Sequence, residues 1–117
     1  MKKIYYLSTC NTCQRIINSL NLPGDVQLQD IKTDSINEKQ LDAMQRLAGS
    51  YEALFSKRAQ LYRKQKLHEK NLQESDYRSL ILQHYTFLKR PVMLIDDQIF
   101  IGNSKIIVEE ASAAFDQ

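Results

Sequence analysis

Tyr5-Tyr6-Leu7-Ser8-Thr9-Cys10-Asn11-Thr12-Cys13-Gln14-Arg15 is the stretch on which the reading of this chain turns, and it holds both of the cysteines. The apolar run Ile4 to Leu7 leads into a short polar turn, and Ile16, Ile17 and Leu20 then recur at the spacing of one helical face. The stretch therefore reads as strand, loop, helix. Cys10 falls just before or at the first helical turn, where unpaired backbone N–H groups and the positive end of the helix dipole favour an anion. A thiolate is such an anion. At a pKa of about 8.5 roughly 3% of a thiol is ionised at pH 7, and a shift to about 6.5 would ionise roughly three quarters of it. Cys13 stands one turn further on, close enough to attack an adduct formed at Cys10 and release it as a Cys10–Cys13 disulfide. Cys10 is thus the candidate nucleophile and Cys13 the more buried resolving thiol.

A C-x-x-C pair also serves as half of a zinc site, and a structural disulfide is a third possibility. There is no second cysteine pair, and His68 and His84 stand alone on segments rich in Lys, Glu or apolar residues. The strand-then-helix context favours redox chemistry, with no metal expected.

With 117 residues the chain has the size of one domain, 1–117. Only four residues separate Met1-Lys2-Lys3 from the polar Ser8-Thr9-Cys10 turn, so no signal-peptide core is expected, and no apolar run approaches membrane-spanning length. The expected location is the cytoplasm, where cysteines are normally reduced and a C-x-x-C is reactive machinery more often than a staple. A net charge of +2 is too small to imply direct nucleic-acid binding.

In chain order, a strand is expected over 3–7 and a helix over 12–20, ended by Pro23-Gly24. Val26, Leu28 and Ile31 suggest a second strand, parallel to the first. Asn37-x-x-Gln40 has the form of a capping box, with Leu41, Met44, Leu47 and Ala48 following until Gly49 stops the helix. Ser50 can cap a short helix through Phe55. Residues 57–70 are the most basic part of the chain and read as a solvated helix face, with Arg58 and Arg63 as candidates to turn toward the thiols. From Glu74 to Leu88, the positions Tyr77, Leu80, Ile81, Tyr85 and Leu88 make an apolar stripe. The runs after Pro91, broken at Asp96-Asp97-Gln98, make a hairpin. Pro91 begins its strand without losing a needed hydrogen bond and is placed to carry a cis bond. Ser104 or Asn103 caps a last helix to about Phe115, with Ile106, Ile107, Ala111, Ala114 and Phe115 available to cover a sheet.

Thr9-Cys10-Asn11-Thr12-Cys13, Phe55-Ser56-Lys57-Arg58, Lys89-Arg90-Pro91-Val92, Ile95-Asp96 and Ile101-Gly102 together resemble the arsenate reductase and Spx family across nearly the whole chain. The resemblance implies an α/β, thioredoxin-like fold, a mixed four-stranded sheet flanked by helices, with an all-helical insertion over 35–87. It implies Cys10 as catalytic cysteine, Arg90 as the arginine beside it, and Pro91 as a cis-proline facing the pair. Asn11, Thr12, Arg58 and Pro91 would then contact substrate. The best-known arsenate reductases of this fold carry three arginines around the nucleophile and lack a cysteine at the place of Cys13; here Ser56 and Gly102 occupy two of the three positions. The C-x-x-C and Arg58 are more similar to the Spx branch. Two functions follow as expectations. One is a thiol reductase acting on arsenate or a glutathione-type mixed disulfide, with glutathione and glutaredoxin or thioredoxin as electron donor and no bound cofactor. The other is a redox-switched regulator docking on RNA polymerase.

Overall fold

In the computed structural model, which describes residues 1–116, the elements run in the order β1 (Lys2–Tyr6), α1 (Asn11–Ser19), β2 (Gln27–Asp30), α2 (Glu38–Ala48), α3 (Gln60–Lys64), α4 (Glu74–Gln83), β3 (Val92–Ile95), β4 (Gln98–Ile101) and α5 (Lys105–Phe115). Short 3-10 turns occupy Glu52–Leu54, Leu67–Glu69 and Tyr85–Phe87. The chain divides into two compact units, one made of Met1–Asp34 with the residues from Arg90 on, the other of Ser35–Lys89.

The first unit is built on a mixed sheet of order β2-β1-β3-β4. β1 pairs parallel with β2, as a strand–helix–strand crossover requires, and antiparallel with β3, which pairs antiparallel with β4. One face carries the core: Ile4, Met93, Ile95 and Phe100 from the strands meet Ile16 and Leu20 of the α1 segment and Ala111, Ala114 and Phe115 of α5. All four residues of β3 are buried, the mark of a central strand covered on both faces. Ser104 caps α5, its hydroxyl accepting from the Ile107 N–H at 3.2 Å.

The second strand is present and parallel as expected, but two of the apolar side chains face outward. Leu28 is half exposed and Gln29 is buried, because β2 is an edge strand and its inward side chain is Gln29, whose amide donates to the Asp34 carbonyl at 2.9 Å. Ile106 points outward; the buried stripe of α5 passes through Ile107, Val108, Ala111, Ala114 and Phe115, and a residue directly before Ile107 lies about 100° off it.

The helical unit confirms the capping box, Asn37 and Gln40 each accepting the other's N–H, and Gly49 ends α2 in the left-handed conformation at φ 95°. Leu41 and Met44 are fully buried, but Leu47 sits at the exposed edge of that stripe. The Ser50 hydroxyl accepts from Ala53 at 3.1 Å and starts the following turn. Residues 57–70 are not one helix face: α3 ends at Lys64, and Lys66 at φ 56° reverses the chain into a separate turn. The expected helix 74–88 also stops early. His84 is extended at φ −151°, its Nδ1 accepts the Thr86 N–H, and a 3-10 turn follows, so Phe87 and Leu88 are buried by a route other than helical periodicity.

Phe55 organises this unit. Its ring stacks on Phe87 at 5.3 Å and meets Tyr77 at 4.9 Å and Tyr62 at 5.8 Å. Backbone bonds from Ser56 to Phe87 and from Lys89 to Leu54 hold the two segments side by side. Asp42 ties α2 to α4 through a two-pronged pair with Arg78 (2.9 and 3.1 Å) and accepts the Tyr51 hydroxyl at 2.6 Å. Truncating Phe55 to Ala leaves a cavity with no side chain free to refill it, so a loss of about 3–5 kcal/mol is expected. Ile106→Ala should stay within about 0.5 kcal/mol. Urea denaturation of both variants, compared at constant slope, measures the contrast.

Candidate functional site

Cys10 is the N-cap residue of α1, in extended conformation at φ −97° and ψ 111°. The turn that delivers it is closed by the Cys10 N–H donating to the Leu7 carbonyl at 3.0 Å, which is why β1 ends at Tyr6 and Leu7 belongs to the turn. As a neutral thiol Cys10 makes no capping hydrogen bond. As a thiolate it gains the N–H groups of Cys13 and Thr12, two of the helix's unpaired donors.

The two thiols are displaced in opposite directions. Partial burial alone would push Cys10 up, but the Cys13 N–H and thiol, the Thr12 N–H and the Arg90 charge together outweigh it and hold Cys10 below an ordinary thiol. Cys13 is fully buried, and burial, reinforced by its hydrogen bond to Cys10 and by the Cys10 charge, pushes it up to about 11. Both cysteines are free thiols.

Arg90 and Pro91 enter from the other side of β1. The register pairs Tyr5 with Val92, so the residues before β3 run on toward Tyr6 and the cysteine turn. The Arg90–Pro91 bond is cis. The Pro91 carbonyl accepts the Gly102 N–H at 2.9 Å, and Gly102 sits at φ 97°, a conformation that a residue with a Cβ rarely adopts. Arg90 is partly buried and its charge acts on both sulfurs.

Cys10, Cys13, Thr12, Arg90 and Pro91 are therefore brought together within the first unit. Asn11 opens α1 with its side chain exposed. Arg58 and Arg63 are exposed residues of the helical unit, Arg58 on the turn before α3 and Arg63 in its last turn. His68 and His84 also belong to that unit. Among the described residues no three His, Cys, Asp or Glu side chains are grouped to hold a metal ion, and no helix is long and apolar enough to cross a membrane.

Sequence reasoning missed the brace behind the turn. Asp30, the last residue of β2 and the register partner of Tyr6, accepts the Ser8 N–H at 3.1 Å, and the Ser8 carbonyl accepts the Gln14 side-chain amide at 3.3 Å. The signal available in the sequence was slight: one carboxylate at the end of a strand parallel to the one feeding the cysteine turn.

Two measurements follow from these ionisations. Iodoacetamide should modify Cys10 with a midpoint below that of a free thiol while Cys13 stays unmodified in the folded protein; peptide mapping that found Cys13 alkylated first would reverse the assignment. Cys13 also makes a prediction about alkaline stability. Between about pH 9 and 11 the unfolded chain has released the Cys13 proton and the folded chain has kept it, so stability falls as pH rises through this window. The loss amounts to about 3 kcal/mol under a phosphine reductant and should vanish in Cys13→Ala.

The ArsC family model matches residues 5–111. Solved structures of similar fold include an arsenate reductase from Vibrio cholerae, 18% identical with a TM-score of 0.79 over 94% of this chain and 96% of that one. An arsenate reductase (ArsC) related protein from Brucella melitensis is 23% identical with a TM-score of 0.71, covering 93% and 92%. SACOL0876 from Staphylococcus aureus is 23% identical with a TM-score of 0.76, covering 94% and 97%. At such identities these likenesses concern the fold alone, a thioredoxin-like sheet with helices. No curated protein matches the sequence. Because the family model spans all but the ends of the chain, from the strand before Cys10 into α5, the protein belongs to the ArsC family.

Proposed function

We propose that the protein is a thiol reductase whose preferred substrate is a mixed disulfide of the glutathione type, with Cys10 as nucleophile and Cys13 as resolving thiol. The observation that carries this reading is the opposite displacement of two thiols one helical turn apart. In the first step the Cys10 thiolate attacks one sulfur of the substrate disulfide; a Cys10–substrate disulfide forms and the other half leaves as a thiolate. In the second step Cys13 gives its proton to the departing thiolate and attacks the Cys10 sulfur. The Cys10–Cys13 disulfide forms, the second half is released as thiol, and two electrons have passed to the substrate. Glutathione with glutaredoxin, or thioredoxin, would return the pair to its dithiol state.

The charges order these steps. While Cys10 is an anion, its charge and its hydrogen bond hold the proton on Cys13. Once Cys10 is bonded to substrate, both effects disappear and the Arg90 charge, which favours the Cys13 thiolate, remains. Cys13 thus gives up its proton more readily once there is an adduct to resolve, against the burial that still opposes its charge.

Arsenate would follow the same path. The Cys10 thiolate displaces one arsenate hydroxyl, which takes a proton from solvent and leaves as water, forming an S–As bond; Cys13 then attacks Cys10, and the electron pair of that S–As bond and the Cys13 proton leave with arsenite. A tetrahedral oxyanion needs donors on several oxygens, and Gly102, held left-handed, supplies no side chain where the three-arginine enzymes have one.

Cys13→Ser should accumulate a stable mixed disulfide at Cys10, visible by intact mass, and Cys10→Ser should abolish turnover. Accumulation at Cys13 in a Cys10→Ser protein, with activity retained, would sink the mechanism. Arg90→Ala removes the charge that acts on both thiols, and a fall of about 100- to 1000-fold in disulfide reduction is expected. Arsenate reduction by the wild type should be weak; efficient arsenate turnover would make disulfide specificity wrong.

A further inference from the structure

We infer that Asp30 is the positioning residue of the nucleophile: its carboxylate anchors the Ser8 turn to the end of β2 and so keeps the Cys10 sulfur against the first N–H groups of α1. The inference rests on the reading of Cys10 as nucleophile and deepens it.

The turn from Leu7 to Cys10 starts at the buried Leu7, whose N–H faces the Cys13 thiol, and is held beyond it by hydrogen bonds. Its internal bond runs from the Cys10 N–H to the Leu7 carbonyl. Its connection to the sheet is the Asp30 carboxylate, which accepts the Ser8 N–H at 3.1 Å and also the Ser8 hydroxyl. Asp30 is itself fixed: it accepts the Lys32 N–H at 3.2 Å and the Thr33 hydroxyl at 3.4 Å, and its carbonyl accepts the Asp34 N–H at 2.8 Å. From Ser8 the connection passes to α1, since the Ser8 carbonyl accepts from the Gln14 side chain and the Gln14 N–H donates to the Cys10 carbonyl at 3.2 Å. The neighbouring strand, the turn and the first turn of the helix form one hydrogen-bonded brace around Cys10. Without its acceptor, Ser8 turns to water and Cys10 is no longer held in the extended cap conformation that directs its sulfur to the Thr12 and Cys13 N–H groups.

The sign of the effect separates positioning from plain electrostatics. A negative charge near a thiol disfavours the thiolate, so removing Asp30 for its charge alone would make Cys10 more acidic. Removing it as an anchor makes Cys10 less acidic. Asn keeps an oxygen acceptor in the same place and discards the charge.

The experiment measures the pH dependence of iodoacetamide reaction at Cys10, by peptide mapping, in wild type, Asp30→Asn and Asp30→Ala, each checked for folding by circular dichroism. Asp30→Ala should raise the midpoint by half a unit or more, which lowers the rate at pH 6.5 by about threefold per half unit. Asp30→Asn should keep the midpoint at or below that of wild type. An unchanged or lowered midpoint in Asp30→Ala overturns the inference, as does an Asn variant whose midpoint rises as far as that of Ala. If Asp30→Ala does not fold, the Asn variant and Gln14→Ala, which removes the far arm of the brace, decide it: a raised midpoint in Gln14→Ala with an unraised one in Asn supports it, and any other pairing overturns it. This readout requires no substrate. A wild-type midpoint equal to that of an ordinary thiol would instead defeat the proposed function itself, and that result is visible in the first arm alone.

Discussion

A thiolate and a thiol one helical turn apart compete for the same stabilising groups, and the first turn of α1 decides the competition in favour of Cys10. Helix geometry leaves the early N–H groups without intrahelical partners, and only a group at the cap can reach them. Cys10 is at the cap and gains two of them as an anion. Cys13, already inside the helix and fully buried, has its own N–H committed toward Cys10 and no water to solvate a charge. The same helical turn therefore lowers one pKa and, through the resulting anion, helps to raise the other.

The sheet makes this arrangement possible. β1 has a parallel neighbour on one side and an antiparallel neighbour on the other. The parallel partner, β2, ends alongside the end of β1 and delivers Asp30 to the cysteine turn from behind. The antiparallel partner, β3, begins there and delivers Arg90 and the cis Pro91. A mixed sheet thus brings a carboxylate from one strand end and a guanidinium from one strand start to the same edge, which neither an all-parallel nor an all-antiparallel set of the same three strands would do without longer connections.

Much of this was legible in the sequence because the features concerned are local. The strand–turn–helix around Cys10, the Asn37–Gln40 box, the Gly49 stop and the Ser104 cap are each written in a few adjacent residues. The failures are of two kinds. Leu28, Leu47 and Ile106 satisfied an apolar spacing yet lie at an edge or off the buried stripe, since periodicity marks a face without saying how wide its cover is. The break at His84 and the reversal at Lys66 arise from a side-chain bond to Thr86 and a left-handed residue, neither of which composition announces. The Asp30 brace was unreadable for a further reason: it links residues 22 apart through the register of a parallel pair, and that register exists only in the folded sheet.

The charge at the site bears on which substrates it suits. In disulfide exchange a single negative charge is spread over three sulfurs in line, and the helix N–H groups already serve the attacking end. For the proposed disulfide exchange, the cationic support would come from Arg90, whose charge acts on both cysteines. A tetrahedral oxyanion brings one to two charges on several oxygens and asks for forks on more than one side. In the three-arginine arsenate reductases that the sequence resembles, two further arginines meet that need, at the places of Ser56 and Gly102. Ser56 lies in the helical unit with its N–H bound to the Phe87 carbonyl at 2.7 Å. Gly102 is a different matter, because its φ of 97° goes with the hydrogen bond that its N–H gives to Pro91. An arginine there would have to hold a strained backbone or pull the N–H away from the carbonyl of the residue that follows Arg90. The absence of an arginine at Gly102 is thus built into the backbone that presents Arg90, and a shift toward oxyanion chemistry would require remodelling that loop as well as exchanging a side chain.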